Sequence, residues 1–270
     1  MPTQSLKATH ILIGINVLVF LLMYMFQPEA GIWETFPLYY PRNQQFHLHQ
    51  FITTLFTHAN TGHLLFNMFG LFSFGSVLET IWGAKRFLLF YFIVGIGAGL
   101  IYTGVNALEY RTVSNRLQEL GVQAETLDLL DKDTLDQFET ALGHDLRTVP
   151  VTESLQEDLF QLIRLHNVPA VGASGAIYGI FVAFGLLFPD AKLSLIFLPI
   201  PIAAKFFIPA ILLLDLFSGV TGFSIFGGGI AHFAHLGGAL IGFLLMRLWK
   251  DQLSLPELPP YMVLDDEPPY

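Results

Sequence analysis

Six long apolar runs limit how this chain can fold. A helix needs about 20 consecutive apolar residues to cross the hydrocarbon core of a bilayer. Only 13% of the 270 residues are charged, about half the ~25% that is usual in soluble domains. The composition excludes a disordered chain, a nucleic-acid-binding protein with a basic face and an ordinary water-soluble globule. The runs therefore predict a polytopic membrane protein. They cover approximately residues 9–27, 57–77, 87–106, 168–188, 206–223 and 229–249.

Lys and Arg residues in the short connections predict an orientation, because positive residues accumulate on the cytoplasmic side of membrane proteins. With a cytoplasmic N-terminus, the outer short loops contain a single base, Arg42. Both termini are therefore expected in the cytoplasm, and a six-span core without a targeting presequence suits the inner membrane of a bacterium. The bases of the inner segments are Lys7, Lys85, Arg86, Lys192, Lys205, Arg247 and Lys250.

A charged stretch interrupts the apolar body between the third and fourth runs. Residues 105–166 contain twelve acidic and five basic residues. Ser154-x-x-Glu157 has the form of a capping box ahead of apolar residues at helical spacing, which predicts helices here. The chain then divides into residues 1–104 with spans one to three, an acidic extracytoplasmic insert at 105–166, residues 167–250 with spans four to six, and a flexible cytoplasmic tail at 251–270.

The fourth run opens with a serine between small residues, Gly172-Ala-Ser174-Gly175. A serine in a membrane helix commonly bonds a carbonyl one turn back, and Gly175 with Gly179 has the spacing of a close helix contact. The alternative is a nucleophile, because a serine hydroxyl can be activated by a neighbouring base. This motif alone leaves both interpretations open.

The sixth run opens with His232 and His235, followed by Gly238 and Gly242. Ionisable residues inside membrane segments usually have a function. The glycines lie three and seven residues after His235, so they form a smooth helix face beside its imidazole, and another helix can approach closely there. A base and a close-packing surface are therefore expected side by side.

The second run contains His63-Leu-Leu-Phe-Asn67. The four-residue spacing puts imidazole and carboxamide on one helix face, where both can donate hydrogen bonds or simply tie helices together. In the predicted topology His63, Ser174 and His235 each lie about six residues into a span, roughly 9 Å below the outer surface at 1.5 Å per residue. We expect a nucleophile, a base and two donors near one plane.

Taken together, these three motifs resemble those of the rhomboid family of intramembrane serine proteases, in the family's order and on the expected spans. The resemblance covers roughly residues 8–104 and 167–250. It implies an all-α, six-helix rhomboid-like bundle with a helical soluble insert between helices three and four. It also implies an endopeptidase that cleaves transmembrane segments of other proteins near the outer membrane face. The acidic insert is a departure from the minimal family core.

The resemblance also implies roles for individual residues. Ser174 matches the nucleophile and His235 the general base of a Ser–His dyad. His63 and Asn67 match the side-chain donors to the oxyanion, beside the backbone N–H of Ser174. The supporting residues are Tyr178, which matches a tyrosine packed on the catalytic imidazole, together with His232, Gly172, Gly238 and Gly242.

No acid is convincingly placed to complete a triad. Asp215 lies in the outer half of the fifth run, and Glu79 lies at the opposite end of the second. The same lack of an inward carboxylate argues against a metal site at the H-x-x-H motif of His232 and His235, with or without His58 and His63. We expect no cofactor and no metal. The expected partners are transmembrane protein substrates and the lipid bilayer, without nucleic acid.

Two other function classes stay open. A non-catalytic rhomboid-like protein could bind membrane clients without cutting them, and a transporter could place polar residues near the bilayer midplane. The glycine-rich segment 218–229 between the fifth and sixth runs is expected to cap the site. Displacement of this segment with the fifth span would admit substrate.

Overall fold

The computed structural model describes residues 7–25, 31, 35–131, 135–195, 198–223 and 231–249. The predicted tail, 251–270, lies outside the described residues. So does half of the predicted cap, residues 224–229.

Helices account for nearly all the regular structure. One span, from Thr61 to Trp82, contains a π-helical turn at Leu71–Gly75, and Thr54–Phe56 forms a short 3-10 turn. An antiparallel hairpin of β1 (Lys192–Leu195) and β2 (Leu198–Ala203) directly precedes the helix that begins at Ala204. The helices are α1 (Ala8–Met25), α2 (Gln50–Thr53), α3 (Thr61–Gly70), α4 (Ser76–Trp82), α5 (Ala84–Glu119), α6 (Ala124–Asp131), α7 (Leu135–Asp145), α8 (Glu153–Asn167), α9 (Ser174–Leu187), α10 (Ala204–Thr221) and α11 (His232–Trp249).

The structure confirms an all-α, polytopic membrane bundle. Among the described residues, five helical stretches are long and apolar enough to cross a membrane, and they begin at Ala8, Thr61, Ala84, Ala204 and His232. The fourth predicted span is the shorter apolar helix α9, of 14 residues. In a helix the backbone N–H and C=O groups bond to one another within the segment. The bilayer core requires this, because it contains no water to supply other partners.

Helix α9 begins six residues later than the fourth run because the preceding residues are extended. Ala170 forms a two-way backbone bridge with Leu38, with both N···O distances 2.9 Å. Thr54 donates its hydroxyl to the Ala170 carbonyl and accepts the Gly172 N–H at its own carbonyl. These contacts from distant parts of the chain hold 168–173 out of the helix and put Ser174 at its first residue.

The centre of the bundle is α9, which packs chiefly against α11 and α5. Gly175 and Gly179 on α9 face Gly238 and Gly242 on α11. A Cβ at Gly238 would overlap the Gly175 carbonyl oxygen, and one at Gly242 would lie 2.6 Å from the Gly179 Cα. The smooth glycine face expected beside His235 is therefore a backbone-to-backbone contact of two helices.

The insert has a hydrophobic core of its own. Helix α5 continues through the predicted boundary at 104/105 to Glu119, and its last turns pack against α8. At this contact Arg116 pairs with Asp158 at 2.5 Å. Helix α8 is capped by Thr152, which accepts the Leu155 N–H, and the predicted cap at Ser154 is wrong by two residues. The core is built from Tyr110, Val113, Leu117, Val122, Leu127, Leu130, Phe138, Val149, Leu155, Leu162 and Leu165.

At the far end of the bundle, Glu79 fixes the start of α1. Its carboxylate accepts the backbone N–H groups of Ala8 and Thr9 at 2.6 and 2.8 Å and the Thr9 hydroxyl at 2.6 Å. A carboxylate at a helix N-terminus satisfies donors that have no intrahelical partner and complements the helix dipole. The position of Glu79 is therefore explained by helix capping.

Candidate active site

Ser174 lies at the junction of an extended loop and α9. Gly172, two residues earlier, has a φ of +117°, and a Cβ there would lie 2.7 Å from both Cε1 and Nε2 of His63. An L side chain would be strained and would collide with that ring. Gly172 thus lets the loop turn into the helix while the His63 imidazole lies directly against it.

The structure brings Ser174 and His235 together. His235 Nε2 lies 2.8 Å from Ser174 Oγ, a hydrogen-bonding distance, although the residues are 61 positions apart. Both sit on the first turn of their helices, which are held in register by the glycine contact. The two side chains that the motifs single out are therefore in direct contact.

Tyr178 holds the imidazole from one side. Its ring is stacked on that of His235, with centroids 4.2 Å apart and planes 13° from parallel. Tyr178 lies one turn after Ser174 on the same helix face, so one helix supplies both the hydroxyl and the stacking surface. This arrangement restricts rotation of the His235 ring.

His63 and Asn67 both lie on α3, and their side chains make different contacts. Asn60 caps α3 by accepting the His63 N–H at 2.9 Å. The backbone nitrogen of Ala59 lies 3.5 Å from His63 Nδ1, and the Cε1–Nε2 edge of the ring lies beside Gly172. Asn67 is buried, and its Nδ2 donates to the His63 carbonyl at 2.8 Å, which uses one of its two N–H bonds within the helix.

Asp215 on α10 is the residue that the sequence did not place. One carboxylate oxygen, Oδ1, lies 2.5 Å from His232 Nδ1 and 3.2 Å from His235 Nδ1. The expectation that no acid reaches these histidines is wrong, and so is the argument that no carboxylate accompanies the H-x-x-H motif. The donor atoms of Asp215, His232 and His235 all lie within 4.8 Å of one another.

A signal for Asp215 was present in the sequence. It is an ionisable residue inside an apolar span, and the same rule drew attention to His235. Sequence gives its position along α10 but not the helix rotation that turns it towards α11. Packing of the two helices decides that contact.

A cavity opens beside Ser174 on the side that faces α5. Small residues of three helices and the loop before α9 form most of its wall, and Tyr102 of α5 is also part of the lining. Its lining includes Thr54, Ala98, Gly99, Gly172 and Ala231. A group that enters it lies directly against the serine.

Several known proteins are similar to this chain. A family model described as "Rhomboid domain" matches residues 45–117 and 149–251. The chain is 26% identical over 251 residues to "Rhomboid protein 1, mitochondrial" of Saccharomyces cerevisiae, covering 90% of this chain and 53% of that protein. It is 25% identical over 256 residues to "Rhomboid-like protein 11, chloroplastic" of Arabidopsis thaliana, covering 92% and 67%. It is 27% identical over 192 residues to "Presenilin-associated rhomboid-like protein A, mitochondrial" of Danio rerio, covering 71% and 35%.

These names correct the predicted location. They are names of mitochondrial and chloroplastic proteins, so the expectation of a bacterial inner membrane is wrong. That expectation was drawn from targeting signals and not from any physical property of the folded core. A multi-pass membrane location stands.

The chain spans about half the length of the yeast relative, so the likeness covers only part of that protein. The family match leaves out 118–148, the middle of the insert, and includes the motifs at Ser174, His235 and His63. With well over half of its residues matched, the chain belongs to the rhomboid family.

Proposed function

We propose that this protein is an intramembrane serine endopeptidase that hydrolyses peptide bonds in or near transmembrane segments of other membrane proteins. The observation that carries the proposal is the 2.8 Å contact between Ser174 Oγ and His235 Nε2. A serine hydroxyl is a weak nucleophile until an adjacent base takes its proton, and this contact supplies that base.

The first step is attack of Ser174 Oγ on the scissile carbonyl carbon. His235 Nε2 accepts the hydroxyl proton as the new C–O bond forms, and it then returns the proton to the amine that leaves. Such proton transfer contributes typically ~10²–10⁴-fold to the rate. A water molecule then attacks the acyl carbon while His235 Nε2 accepts one of its protons. His235 returns that proton to Ser174 Oγ as the acyl C–O bond breaks, which releases the carboxylic acid product and frees the serine.

The oxygen of the attacked carbonyl gains negative charge, and the site has donors for it. Ser174 is the first residue of α9, where backbone N–H groups have no intrahelical partner and the helix dipole is positive. The His63 imidazole lies beside Gly172, two residues before Ser174, and Asn67 retains a second N–H bond one turn further along α3. One such donor is worth about 10²–10³ in kcat.

The length of α9 supports a site below the membrane surface. Its 14 residues rise about 21 Å, against about 30 Å for the hydrocarbon core. If Leu187 reaches one surface, Ser174 lies about 9 Å below the other, the depth expected from the run starts. A substrate must therefore present an unwound peptide bond within the bilayer, because the bonds of an intact helix are not open to attack.

The cavity beside Ser174 favours small residues next to the scissile bond. Its walls are mainly small residues from α5, α9 and α11, so it suits a side chain of the size of alanine. Transmembrane segments that contain glycine or other helix-weakening residues should be cut most readily. The compartments named for the relatives favour an organellar membrane for this activity.

The proposal is tested with full-length protein in liposomes that contain a single-span reporter with a small residue at its outer end. We expect wild-type protein to cut the reporter and Ser174→Ala to abolish cleavage and labelling by a fluorophosphonate. Ser154→Ala, an exposed serine of the insert, is the matched control and should behave as wild type. A wild-type protein that binds the reporter uncut would instead favour the non-catalytic client-binding function.

A further inference from the structure

We propose that Asp215 orients the imidazole of His235, so that Ser174, His235 and Asp215 act as a triad in which Asp215 is a positioning residue. The inference rests on the proposed protease function and adds a residue to it. It also gives His232 a defined place, as the second group that binds the same carboxylate.

The hydrogen-bond geometry fixes the form of His235 needed for proton transfer. An ionised carboxylate only accepts hydrogen bonds, so the His235 Nδ1 at 3.2 Å from Asp215 must carry its hydrogen. A neutral imidazole with hydrogen on Nδ1 has its lone pair on Nε2, and Nε2 is the atom 2.8 Å from Ser174 Oγ. The carboxylate therefore selects the tautomer that can accept the serine proton.

The same carboxylate stabilises the ring after it accepts the proton. The Ser174 proton moves to Nε2, and the imidazolium then lies against the negative Asp215 while the Nδ1 hydrogen stays where it was. Asp215 gains and loses no proton in this scheme. Tyr178 stacking restricts the plane of the ring, and Asp215 decides which nitrogen faces the serine.

His232 explains how a carboxylate is held in an apolar span. Asp215 is 6% exposed, and a buried carboxylate needs hydrogen-bond partners to remain charged. His232 Nδ1 binds Oδ1 at 2.5 Å, and the Tyr178 hydroxyl is a further hydrogen-bond neighbour. The charged and titratable groups that face Asp215 are thus His232, His235 and Tyr178, and all of them can donate.

The contact also joins two helices. Asp215 belongs to α10, whereas His232 and His235 belong to α11. The first turn of α11 must remain against α10 while the proton moves. If α10 moves to admit substrate, it must either return before the chemical step or move only at the end that does not carry Asp215.

The test compares Asp215→Asn, Asp215→Ala and Asp215→Glu in the liposome assay. Asn keeps the size but can present an N–H to the ring and so favour the wrong tautomer. We expect Asp215→Asn to lower kcat about 10²-fold or more with KM changed less than threefold. Asp215→Glu should recover part of kcat, and formate should raise the rate of Asp215→Ala.

Two controls separate positioning from folding. Asp190→Asn makes the same chemical change at an exposed carboxylate paired with Lys205. Leu213→Ala changes a residue of α10 that is 65% exposed and outside the hydrogen-bonded set. Both should keep wild-type kcat, and the thermal midpoints of all variants are measured in the same detergent.

The outcomes are distinguishable. If wild type and Ser174→Ala cleave equally, the proposed protease function fails. If wild type cleaves and Ser174→Ala does not, but Asp215→Asn stays within threefold of wild-type kcat, only the triad is overturned. Loss of kcat without recovery in Asp215→Glu or with formate overturns it too. Loss of wild-type activity in EDTA that Zn²⁺ restores would replace the triad by a metal site at Asp215, His232 and His235.

Discussion

The contact between α9 and α11 and the core of the insert are built in opposite ways. Between α9 and α11, two pairs of glycines bring the backbones together with no side chain between them. In the insert, leucine, valine and phenylalanine side chains fill the space between α5, α6, α7 and α8. A backbone contact accepts no added atom, whereas a side-chain core can adjust through its rotamers.

The difference follows from what each region positions. The 2.8 Å contact of Ser174 and His235 depends on the relative placement of two helices, and a shift of about 1 Å from the productive geometry can cost ~10²-fold in rate. None of the described residues of the insert belongs to the hydrogen-bonded and stacked set around Ser174 and His235. Substitutions that break each kind of packing should therefore separate activity from stability.

The largest effect on cleavage in this comparison is expected from Gly238→Ala. The added Cβ would overlap the Gly175 carbonyl oxygen, and the only relief is separation of α9 from α11. We expect about 3 kcal/mol of destabilisation and a loss of cleavage of about 10²-fold. Thermal unfolding in detergent and reporter cleavage measure the two effects.

Gly104→Ala is the matched control for this prediction. Gly104 lies in α5, and nothing is within 4 Å of an added Cβ. Alanine should stabilise that helix by up to about 1 kcal/mol and leave cleavage unchanged. Equal activity of Gly238→Ala and Gly104→Ala would show that the glycine contact does not set the distance between serine and histidine.

A smaller effect is expected from Gly172→Ala, which acts on the loop and not on the helices. The new Cβ would meet the His63 ring at 2.7 Å, at a backbone φ of +117°. The ring must turn away, which weakens a donor whose complete loss would cost about 10²–10³-fold in kcat. We expect a loss of about 10-fold, mainly in kcat, by steady-state reporter cleavage.

Gly83→Ala controls for backbone strain alone. Gly83, between α4 and α5, has a φ of +77°, and nothing lies within 4 Å of an added Cβ. The strain of an L residue in this sparsely populated backbone region should cost about 1–3 kcal/mol of stability, without a change in kcat. If Gly172→Ala and Gly83→Ala have the same kcat, the position of His63 beside Gly172 contributes nothing to catalysis.

The same contrast explains what the sequence could predict. The apolar runs located the spans because, inside a bilayer, the backbone N–H and C=O groups of each segment must find hydrogen-bond partners within that segment. The residues Gly238 and Gly242 indicated a close helix contact through their spacing, and the resemblance named Ser174, His235 and His63. All of these features are local in sequence and follow from composition, helical periodicity or a short motif.

The features that sequence missed depend on contacts between distant segments. Helix α9 begins at Ser174 because Leu38 and Thr54 hold Ala170 in an extended conformation. Helix α5 continues past the predicted end of its span because the sequence only changes from apolar to polar near residue 105. Such a change does not by itself end a helix. Asp215 meets the histidines of α11 only after α10 packs on that helix. Periodicity within one segment contains none of this information.

The smallest effect on cleavage is expected from Leu162→Ala in the insert. Leu162 is fully buried in the core of the insert, and removal of its side chain costs about 2–5 kcal/mol of local stability. Hydrogen exchange of α6 and α7 should rise markedly, while reporter cleavage should stay within threefold of wild type. Leu108→Ala, at a leucine of α5 that is 70% exposed, is the control and should change neither quantity. Helix α8 leads directly into the loop that precedes Ser174 and contains Gly172. A tenfold loss of cleavage in Leu162→Ala, without a loss in Leu108→Ala, would therefore mean that the insert supports that loop. The insert and the active site would then form one functional unit.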